Sequence, residues 1–311
     1  MTGCKTVLAS TIASSFRNHI KKTLSARNIK PTLVGFLANN DPAAKKYAEW
    51  TARSCSETGV NFNLIKVDKD ALEKNIVEAN LDKSINGIMV YYPIFGNHLD
   101  LYLQNRVSPL KDVEGLGNIA VRNVYQNKRF IDDVKSMKSI IPCTPLAIVK
   151  IMEFIGVYKA DLPYGTRLED KTITVINRSE IVGKPLAALL ANEGATVYSV
   201  DQSDVQTFTE LDSNKKCKIV DTDLKCIHVI PQSDIVITGV PTPNYRVPTK
   251  LLKPGAICIN FSTFANFDPD VTSKASHFIP SVGKVTVAML ERNLLRLYDY
   301  QQHGNMRINV H

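Results

Sequence analysis

The sequence lacks the patterns that mark metal centres, disulfide frameworks and membrane spans. Its six cysteines and six histidines are scattered and include no CxxC pair, so neither a zinc site nor a set of disulfides is predicted. No apolar run reaches the roughly eighteen residues that a membrane-spanning helix needs. A basic block with interleaved aromatic residues is also missing, although the net charge is +8, which argues against nucleic-acid binding and favours attraction of a polyanionic small molecule. These absences indicate a globular protein of a reducing compartment that uses no metal.

Acidic residues are absent from the first forty positions, which are rich in serine and in basic residues. That composition is typical of a mitochondrial presequence. A first strand at 6–9 and an amphipathic helix at 12–24 explain the same stretch, so we expect a cytoplasmic protein, with a mitochondrial location left open. The chain of 311 residues, 44% of them hydrophobic, is long enough for two domains.

The segment 172–201 carries the clearest local pattern, because it predicts a strand, a turn, a helix, a second strand and then an acidic residue. Pro185 opens the helix, whose free N–H groups and dipole form a site for a pyrophosphate. Asp201 follows the second strand, where a carboxylate can accept from the ribose hydroxyls of a dinucleotide. A carboxylate there would repel a 2′-phosphate, and the segment therefore favours NAD over NADP.

The glycines of a G-x-G-x-x-G fingerprint are missing from this segment. Asn177, Ser179 and Gly183 stand in their places. The pattern alone therefore leaves open an α/β crossover that binds nothing.

The rest of the chain also predicts an α/β protein. Strands are predicted at 31–38, 60–67, 85–92, 233–239 and 255–261. A helix between the first two begins at the N-cap Asp41 and ends at Gly59, and further helices are predicted at 70–80, from 144 to about 156, and at 285–300. Two stretches, 97–140 and 202–232, are predicted as a polar connection and a polar surface insertion. The loop 159–170 is the expected domain boundary.

Three motifs occur in order: KDVEG at 111–115, PCTP at 142–145 and RSEIVGKP at 178–185. With them the chain resembles the methylenetetrahydrofolate dehydrogenase/cyclohydrolase family, over nearly its whole length from Val34 to Leu295. The segments NNDPAAKKYAEWT, VYYPIFGN and GKVTVAML are similar to the monofunctional, NAD-dependent branch of fungi.

The resemblance implies an α/β fold of two lobes. The folate-binding catalytic domain would comprise 1–158, with the C-terminal helix 285–311 packing back on it, and 159–284 would form a Rossmann-like NAD-binding domain. It also implies a homodimer built through the second domain. The expected reaction is oxidation of 5,10-methylenetetrahydrofolate, with or without a polyglutamate tail, to 5,10-methenyltetrahydrofolate with NAD⁺, in one-carbon metabolism and purine supply.

Within the first domain, the resemblance implies an active site that has lost one activity. Bifunctional members carry a Tyr and, four residues on, a Lys that serves cyclohydrolysis; here Tyr47 and Thr51 stand at those places, on one helical face. Tyr91 replaces a Gln that assists this Lys. Hydrolysis needs proton transfers that a lysine with a shifted pKa can perform. Hydride removal needs mainly the correct positioning of substrate and cofactor. We therefore expect the dehydrogenase activity to remain and the cyclohydrolase activity to be lost.

Two further residues complete the expected catalytic set. Glu114 stands where the family has an Asp that binds the pterin edge, and Cys143 would face the cleft. Without the resemblance, Tyr47 and Thr51 would be ordinary helix residues, Glu114 a solvated acid and Cys143 a small buried apolar residue.

The residues expected to contact the cofactor follow the ends of three strands. In the resemblance, Arg178 could also meet a phosphate and so weakens the prediction of NAD. The set is Arg178, Ser179, Gly183, Asp201, Gln202, Phe261, Ser262 and Thr263.

Two other functions stay open at this level. One is a bifunctional, NADP-dependent dehydrogenase/cyclohydrolase, and the other is a catalytically silent sensor of folate and NAD. A protein similar to shikimate dehydrogenase is disfavoured because its catalytic Lys and Asp are not evident.

Overall fold

A computed structural model describes residues 3–132, 134–211 and 217–302. The chain packs into two compact units. The large-sheet unit comprises Met1–Ile12, Asn123–Arg129 and Thr144–Val285, and the small-sheet unit comprises Ala13–Arg122, Phe130–Cys143 and Thr286–His311.

Strands and helices alternate along most of the chain. The strands are β1 (Lys5–Thr6), β2 (Thr32–Leu37), β3 (Asn61–Lys66), β4 (Gly87–Val90), β5 (Thr172–Ile176), β6 (Thr196–Val200), β7 (Val205–Leu211), β8 (Cys217–Thr222), β9 (Ile235–Thr238), β10 (Ile257–Asn260) and β11 (His277–Ile279). The helices are α1 (Ala9–Arg27), α2 (Pro42–Thr58), α3 (Leu72–Leu81), α4 (His98–Gln104), α5 (Asn118–Tyr125), α6 (Cys143–Phe154), α7 (Gly183–Ala191), α8 (Cys226–Val229) and α9 (Gly283–Gln302).

The large sheet has the strand order β1-β11-β10-β9-β5-β6-β7-β8. Pairing is parallel from β1 to β6, and β7 and β8 continue the sheet in antiparallel pairing. The central strands β5 and β9 are almost wholly buried, as expected for parallel strands covered on both faces. The sheet therefore resembles a doubly wound nucleotide-binding sheet with an antiparallel extension at one edge.

The prediction of a polar surface insertion at 202–232 is wrong for β7 and β8. Strand β7 buries Val205 and Phe208, which lie three positions apart and so do not follow the period of two that predicts a half-buried strand. Strand β8 exposes Ile219 and Val220 and depends on its pairing with β7.

The small sheet has the order β3-β2-β4, and all of its pairs are parallel. The predicted helix α2 is confirmed with both caps: the Asp41 side chain accepts from the Ala43 N–H, and Gly59 takes the left-handed conformation, with φ 96°. The stretch 97–140, predicted as a polar connection, contains two helices that the sequence analysis does not predict, α4 and α5.

Helix α9 packs against the small sheet, which confirms the predicted return of the C-terminal helix as far as Gln302; residues 303–311 of the predicted segment lie outside the described residues. A Cβ on Gly87 of β4 would stand 2.6 Å from the Leu294 side chain and 2.5 Å from that of Val113, so the glycine permits this close approach. The Gln301 amide donates to the Asn86 and Leu110 carbonyls and fixes the other end of the helix.

Within the described ranges, no helix is long and apolar enough to cross a membrane. The same residues contain no group of three or more His, Cys, Asp or Glu side chains placed to hold a metal ion.

Candidate active site

The structure brings Tyr47, Thr51 and Tyr91 together in the small-sheet unit. Their spacing of four places Tyr47 and Thr51 on one face of α2, and the Tyr47 ring meets the Tyr91 ring edge-on, with centroids 5.9 Å apart. Thr51 is fully buried, and its hydroxyl donates to the Tyr47 carbonyl at 2.9 Å. Burial raises the pKa of both tyrosines, so both hydroxyls stay neutral in the physiological range.

The two lysines of α2, Lys45 and Lys46, do not share the helical face of Tyr47 and Thr51. Lys46 lies over the Trp50 ring, 5.3 Å from its centroid, on a different face of the helix. The Thr51 hydroxyl, already bonded to its own helix, is a poor proton carrier.

Glu114 lies where a sharp turn meets the end of β4. Its Oε2 accepts from the Val90 N–H at 3.0 Å, and Gly115 takes a φ of 69°. Burial raises the pKa of Glu114 to about 8, and the charge of Asp112 adds to the shift. Asp112 itself builds the turn, because its carboxylate accepts from the Gly115 and Gly117 N–H groups at 2.8 Å.

Cys143 is buried beside Glu114 at the start of α6. Its N–H donates to the Glu114 carbonyl at 3.1 Å, and its thiol donates to the Val113 carbonyl at 3.1 Å. Burial raises the pKa of the thiol, and the Glu114 charge raises it further. A thiol held neutral in this way is a weak nucleophile, so its geometry fits packing and orientation better than covalent chemistry.

The turn that the sequence predicts to bind a nucleotide follows β5 in the large-sheet unit. Asn177 takes a φ of 100°, its side chain accepts from the Ser179 N–H at 2.8 Å and donates to the Gly239 carbonyl at 2.6 Å. A Cβ on Gly183 would stand 1.8 Å from the Asn177 carbonyl oxygen, so only glycine fits at the start of α7. Ser179 closes the turn, since its carbonyl accepts from the Lys184 N–H at 3.0 Å.

Arg178 points along β6 rather than into solvent, and its side chain is only 7% exposed. Its guanidinium donates to Ser199 and to Asp204, a residue that the sequence did not single out. Asp201 and Gln202 lie in the exposed turn after β6, where the Gln202 N–H donates to the Asp201 carboxylate at 2.8 Å.

The three residues after β10 are held by a neighbouring loop. The Phe261 ring lies directly against Gly239, since a Cβ there would stand 1.8 Å from it. The Ser262 hydroxyl donates to the Val240 carbonyl at 2.9 Å, and Thr263 is exposed. Asn260 shapes this loop, because its amide donates to the Phe264 and Pro280 carbonyls. The sequence analysis does not name it as a site residue, although an asparagine at the end of a buried strand is a signal that could have identified it.

The candidate residues thus form two groups, each within one unit. One group has two neutral tyrosine hydroxyls, a carboxyl that titrates near neutrality and a neutral thiol. The other has a helix N-terminus reached through a tight turn, an exposed carboxylate and an aromatic ring, which is a donor and acceptor set suited to a dinucleotide.

Comparison with known families assigns both units. The model of the tetrahydrofolate dehydrogenase/cyclohydrolase catalytic domain matches residues 6–114, and that of the corresponding NAD(P)-binding domain matches residues 142–302. The chain belongs to the tetrahydrofolate dehydrogenase/cyclohydrolase family. This confirms the family and the two-lobed α/β fold that the sequence predicts.

Similar members of the family are named Methylenetetrahydrofolate dehydrogenase [NAD(+)]. The protein of Schizosaccharomyces pombe is 53% identical, with 96% of this chain and 94% of that protein covered, and that of Saccharomyces cerevisiae is 52% identical, with 94% and 95% covered. The solved NAD-dependent 5,10-methylenetetrahydrofolate dehydrogenase of Saccharomyces cerevisiae superposes with a TM-score of 0.93 at 49% identity, covering 97% of this chain and 99% of that one. The bifunctional protein FolD of Nitrosopumilus maritimus is more distant, at 30% identity over 95% of this chain and 96% of that protein.

Proposed function

We propose that this chain is an NAD-dependent methylenetetrahydrofolate dehydrogenase that oxidises 5,10-methylenetetrahydrofolate to 5,10-methenyltetrahydrofolate without hydrolysing the product. The observation that carries the proposal is the similarity, at 46–53% identity, to three proteins with that name and that cofactor. The function and the NAD cofactor predicted from the sequence are thereby confirmed.

The oxidation requires little acid–base catalysis by the protein. The methylene carbon lies between two nitrogens, whose lone pairs stabilise the cation left when a hydride departs, so the site has mainly to position the reactants. We propose that Glu114 binds the N–H groups of the pterin edge. Tyr47, Tyr91 and the neutral Cys143 would form the wall beside it, with Thr51 buried behind them.

The large-sheet unit supplies the groups that would hold the dinucleotide, which provides the hydride acceptor when bound. The positive φ of Asn177 and the obligatory glycine at 183 bring backbone N–H groups to the start of α7, where a pyrophosphate fits. Asp201 would accept from the ribose hydroxyls, with Gln202 beside it. Arg178 and Ser179 would shape the turn, and the residues 261–263 would contact the nicotinamide.

Absence of cyclohydrolysis is proposed from the surroundings of Thr51. Product hydrolysis needs a group that activates water and then carries a proton. The Thr51 hydroxyl is bonded within α2, and burial keeps the hydroxyls of Tyr47 and Tyr91 protonated.

An absorbance assay with purified protein tests the proposal. NADH and methenyltetrahydrofolate should form together, the methenyl compound should then decay no faster than in buffer, and NADP⁺ should be a poor substitute for NAD⁺. Rapid hydrolysis or a preference for NADP⁺ would instead indicate the bifunctional alternative. Binding of folate and NAD⁺ without NADH formation would indicate a sensor.

Finer features are proposed from the family resemblance and from composition. They are a homodimer, a cytoplasmic location, a preference for polyglutamylated folate, and functional domains at 1–158 with 285–311 and at 159–284. Analytical ultracentrifugation tests the dimer, a fluorescent fusion the location, and limited proteolysis the boundary in the loop 159–170.

A further inference from the structure

The Arg178 guanidinium lies where a dinucleotide-binding protein reads the adenosine ribose. Its Nε is 3.2 Å from the Ser199 hydroxyl, and its Nη2 donates to the Ser199 carbonyl at 2.6 Å. Ser199 precedes Asp201 by two residues on the strand whose end meets the ribose. Proteins that use NADP commonly place an arginine nearby to bind the 2′-phosphate.

Asp204 already forms an ion pair with this arginine. Its carboxylate accepts from Arg178 Nη1 at 2.7 Å, and its carbonyl accepts from Nη2 at 3.2 Å. With the two bonds to Ser199, four hydrogen bonds satisfy most of the five N–H donors of a guanidinium. The Arg178 side chain is 7% exposed and the Asp204 side chain is 44% exposed, so the acid covers the arginine on its solvent side.

The hairpin between β6 and β7 fixes Asp204 in this position. Val200 pairs with Val205, and the Asp201 N–H donates to the Asp204 carbonyl at 3.0 Å, which closes a tight turn over residues 201–204. The hydrogen bond from Arg178 lowers the pKa of Asp204, and the Arg178 charge lowers it further, so the carboxylate stays ionised at neutral pH. One short turn thus presents Asp201 outward and holds Asp204 against the arginine.

We propose that Asp204 determines the preference for NAD by sequestering Arg178, the cation that would otherwise bind the 2′-phosphate of NADP. The inference rests on the proposed function and deepens it. Asp201 would repel the 2′-phosphate, and Asp204 would keep Arg178 from binding it. Arg178 is thus a potential phosphate-binding residue that is paired with an acid, and two carboxylates, Asp201 and Asp204, contribute to the selectivity for NAD in different ways.

The test is Asp204→Asn, which keeps the shape of the side chain and removes its charge. We expect adenosine 2′,5′-bisphosphate to bind roughly tenfold more tightly or better, as one charge-assisted hydrogen-bonded contact with a phosphate would give. Binding of 5′-AMP should change little. Isothermal titration calorimetry with these two probes measures the effect without turnover, and the ratio of kcat/KM for NADP⁺ to that for NAD⁺ should rise in parallel.

Three variants assign the effect to Arg178. Asp221→Asn removes an exposed acid of β8 that Gln206 contacts at 2.9 Å, and it should leave the affinity ratio of the two probes unchanged. Arg178→Ala combined with Asp204→Asn should abolish the gain. Asp201→Ser should raise NADP⁺ use even while Asp204 is unchanged, because it removes a different obstacle.

Three outcomes would overturn the inference: an unchanged affinity for the bisphosphate, an equal gain in Asp221→Asn, or a gain that survives Arg178→Ala. If Asp204→Asn does not fold, Asp204→Ser provides the same loss of charge in a residue that turns accept. Failure of the proposed function looks different, since the wild-type protein would then make no NADH while the calorimetric comparison could still succeed.

Discussion

Asn177 takes the place that a glycine usually holds in a dinucleotide-binding turn. Asparagine is one of the few residues besides glycine that visits a positive φ, and here the side chain also bonds to Ser179 on one side and to Gly239 on the other. The fingerprint therefore looks defective in the sequence and is complete in the structure. Gly183 remains a glycine because the Asn177 carbonyl leaves no room for a Cβ.

At the same scale, Gly239→Ala should weaken cofactor binding through the Phe261 ring. The new methyl group would stand 1.8 Å from that ring, which must swing away because it is the movable partner. We expect the KM for NAD⁺ to rise severalfold while the KM for folate stays constant, as steady-state kinetics can measure.

A double-mutant cycle checks this route. In a Phe261→Ala background, Gly239→Ala should have almost no further effect on the KM for NAD⁺. An equal loss in both backgrounds would show that Phe261 does not transmit the effect.

Glu114 predicts a pH dependence of folate binding. Its pKa near 8 arises from burial and from Asp112, so below that pH much of the free protein carries a neutral carboxyl group. Pterin N–H donors bind the carboxylate, and folate affinity should therefore improve as pH rises through about 8. The KM for folate, measured between about pH 6 and pH 10, should fall in the wild type and stay flat in Glu114→Gln. A KM that rises over this interval would contradict the assignment.

The same group affects the stability of the free protein. A folded-state pKa above the ordinary value means that the native state holds its proton more tightly than the unfolded chain. The unfolding free energy should therefore decrease as pH rises from the ordinary value of about 4.5 through about 8. Thermal unfolding should show a smaller decrease in Glu114→Gln, and identical pH profiles would be evidence that Glu114 does not titrate in this range.

At the scale of elements, helix α9 orders the loops that carry the folate-site residues. The Asn293 amide donates to the Val113 carbonyl at 3.0 Å and to the Ile141 carbonyl at 3.1 Å. These two carbonyls precede Glu114 and Cys143 by one and two residues. A helix that contributes none of the predicted site residues thus positions two of them.

Asn293→Leu should therefore act on folate more than on the cofactor. The change takes the amide donor from both carbonyls and leaves that of Val113 with only the weak thiol donor of Cys143, which costs roughly 1–3 kcal/mol of unfolding free energy. The KM for folate should rise and the KM for NAD⁺ should not. Gln302→Leu makes the same chemical change at an exposed position of the same helix and should alter neither value. Equal changes in both KM values would argue against a local effect of Asn293.

Local patterns predict some elements of this fold and not others. Helix α2 is predictable because Asp41, Pro42 and Gly59 mark its ends, and β5 is predictable because it is a short, buried, β-branched run. Helix α4 was missed because Leu99, Leu101 and Tyr102 are exposed and give it no clean apolar face. Strand β7 gives no clear sequence signal, because its buried residues Val205 and Phe208 lie three positions apart and not two. Strand β8 buries little surface of its own and is held by its pairing with β7.

The candidate site divides in the same way. The sequence identifies the residue types, since Tyr47 and Thr51 follow from helical spacing and Asp201 from the end of a strand. It does not give the state of a group that depends on its neighbours. The neutral thiol of Cys143 and the raised pKa of Glu114 come from burial, and the pairing of Arg178 with Asp204 requires a turn between two strands, one of which was not predicted.

At the scale of the whole molecule, the net charge of +8 predicts how polyglutamylated folate binds. Each added glutamate carries a negative charge, and attraction to a basic protein weakens as salt screens it. The KM for a polyglutamylated substrate should therefore increase with ionic strength more steeply than that for the monoglutamate. Steady-state kinetics over a salt series measures both slopes, and equal slopes would indicate that the net charge plays no part in folate capture.

Strands β7 and β8 lie at one end of the large sheet, with β8 at its edge, and this position makes cofactor choice depend on local opening of the sheet. Strands at the edge of a sheet open locally at a lower free energy than central strands. Each opening of the β6–β7 turn would release Arg178 for a moment, and discrimination against NADP would then fade as the hairpin melts, well before the protein unfolds. The ratio of NADP⁺ to NAD⁺ turnover would thereby report the local stability of a hairpin, read out by catalysis.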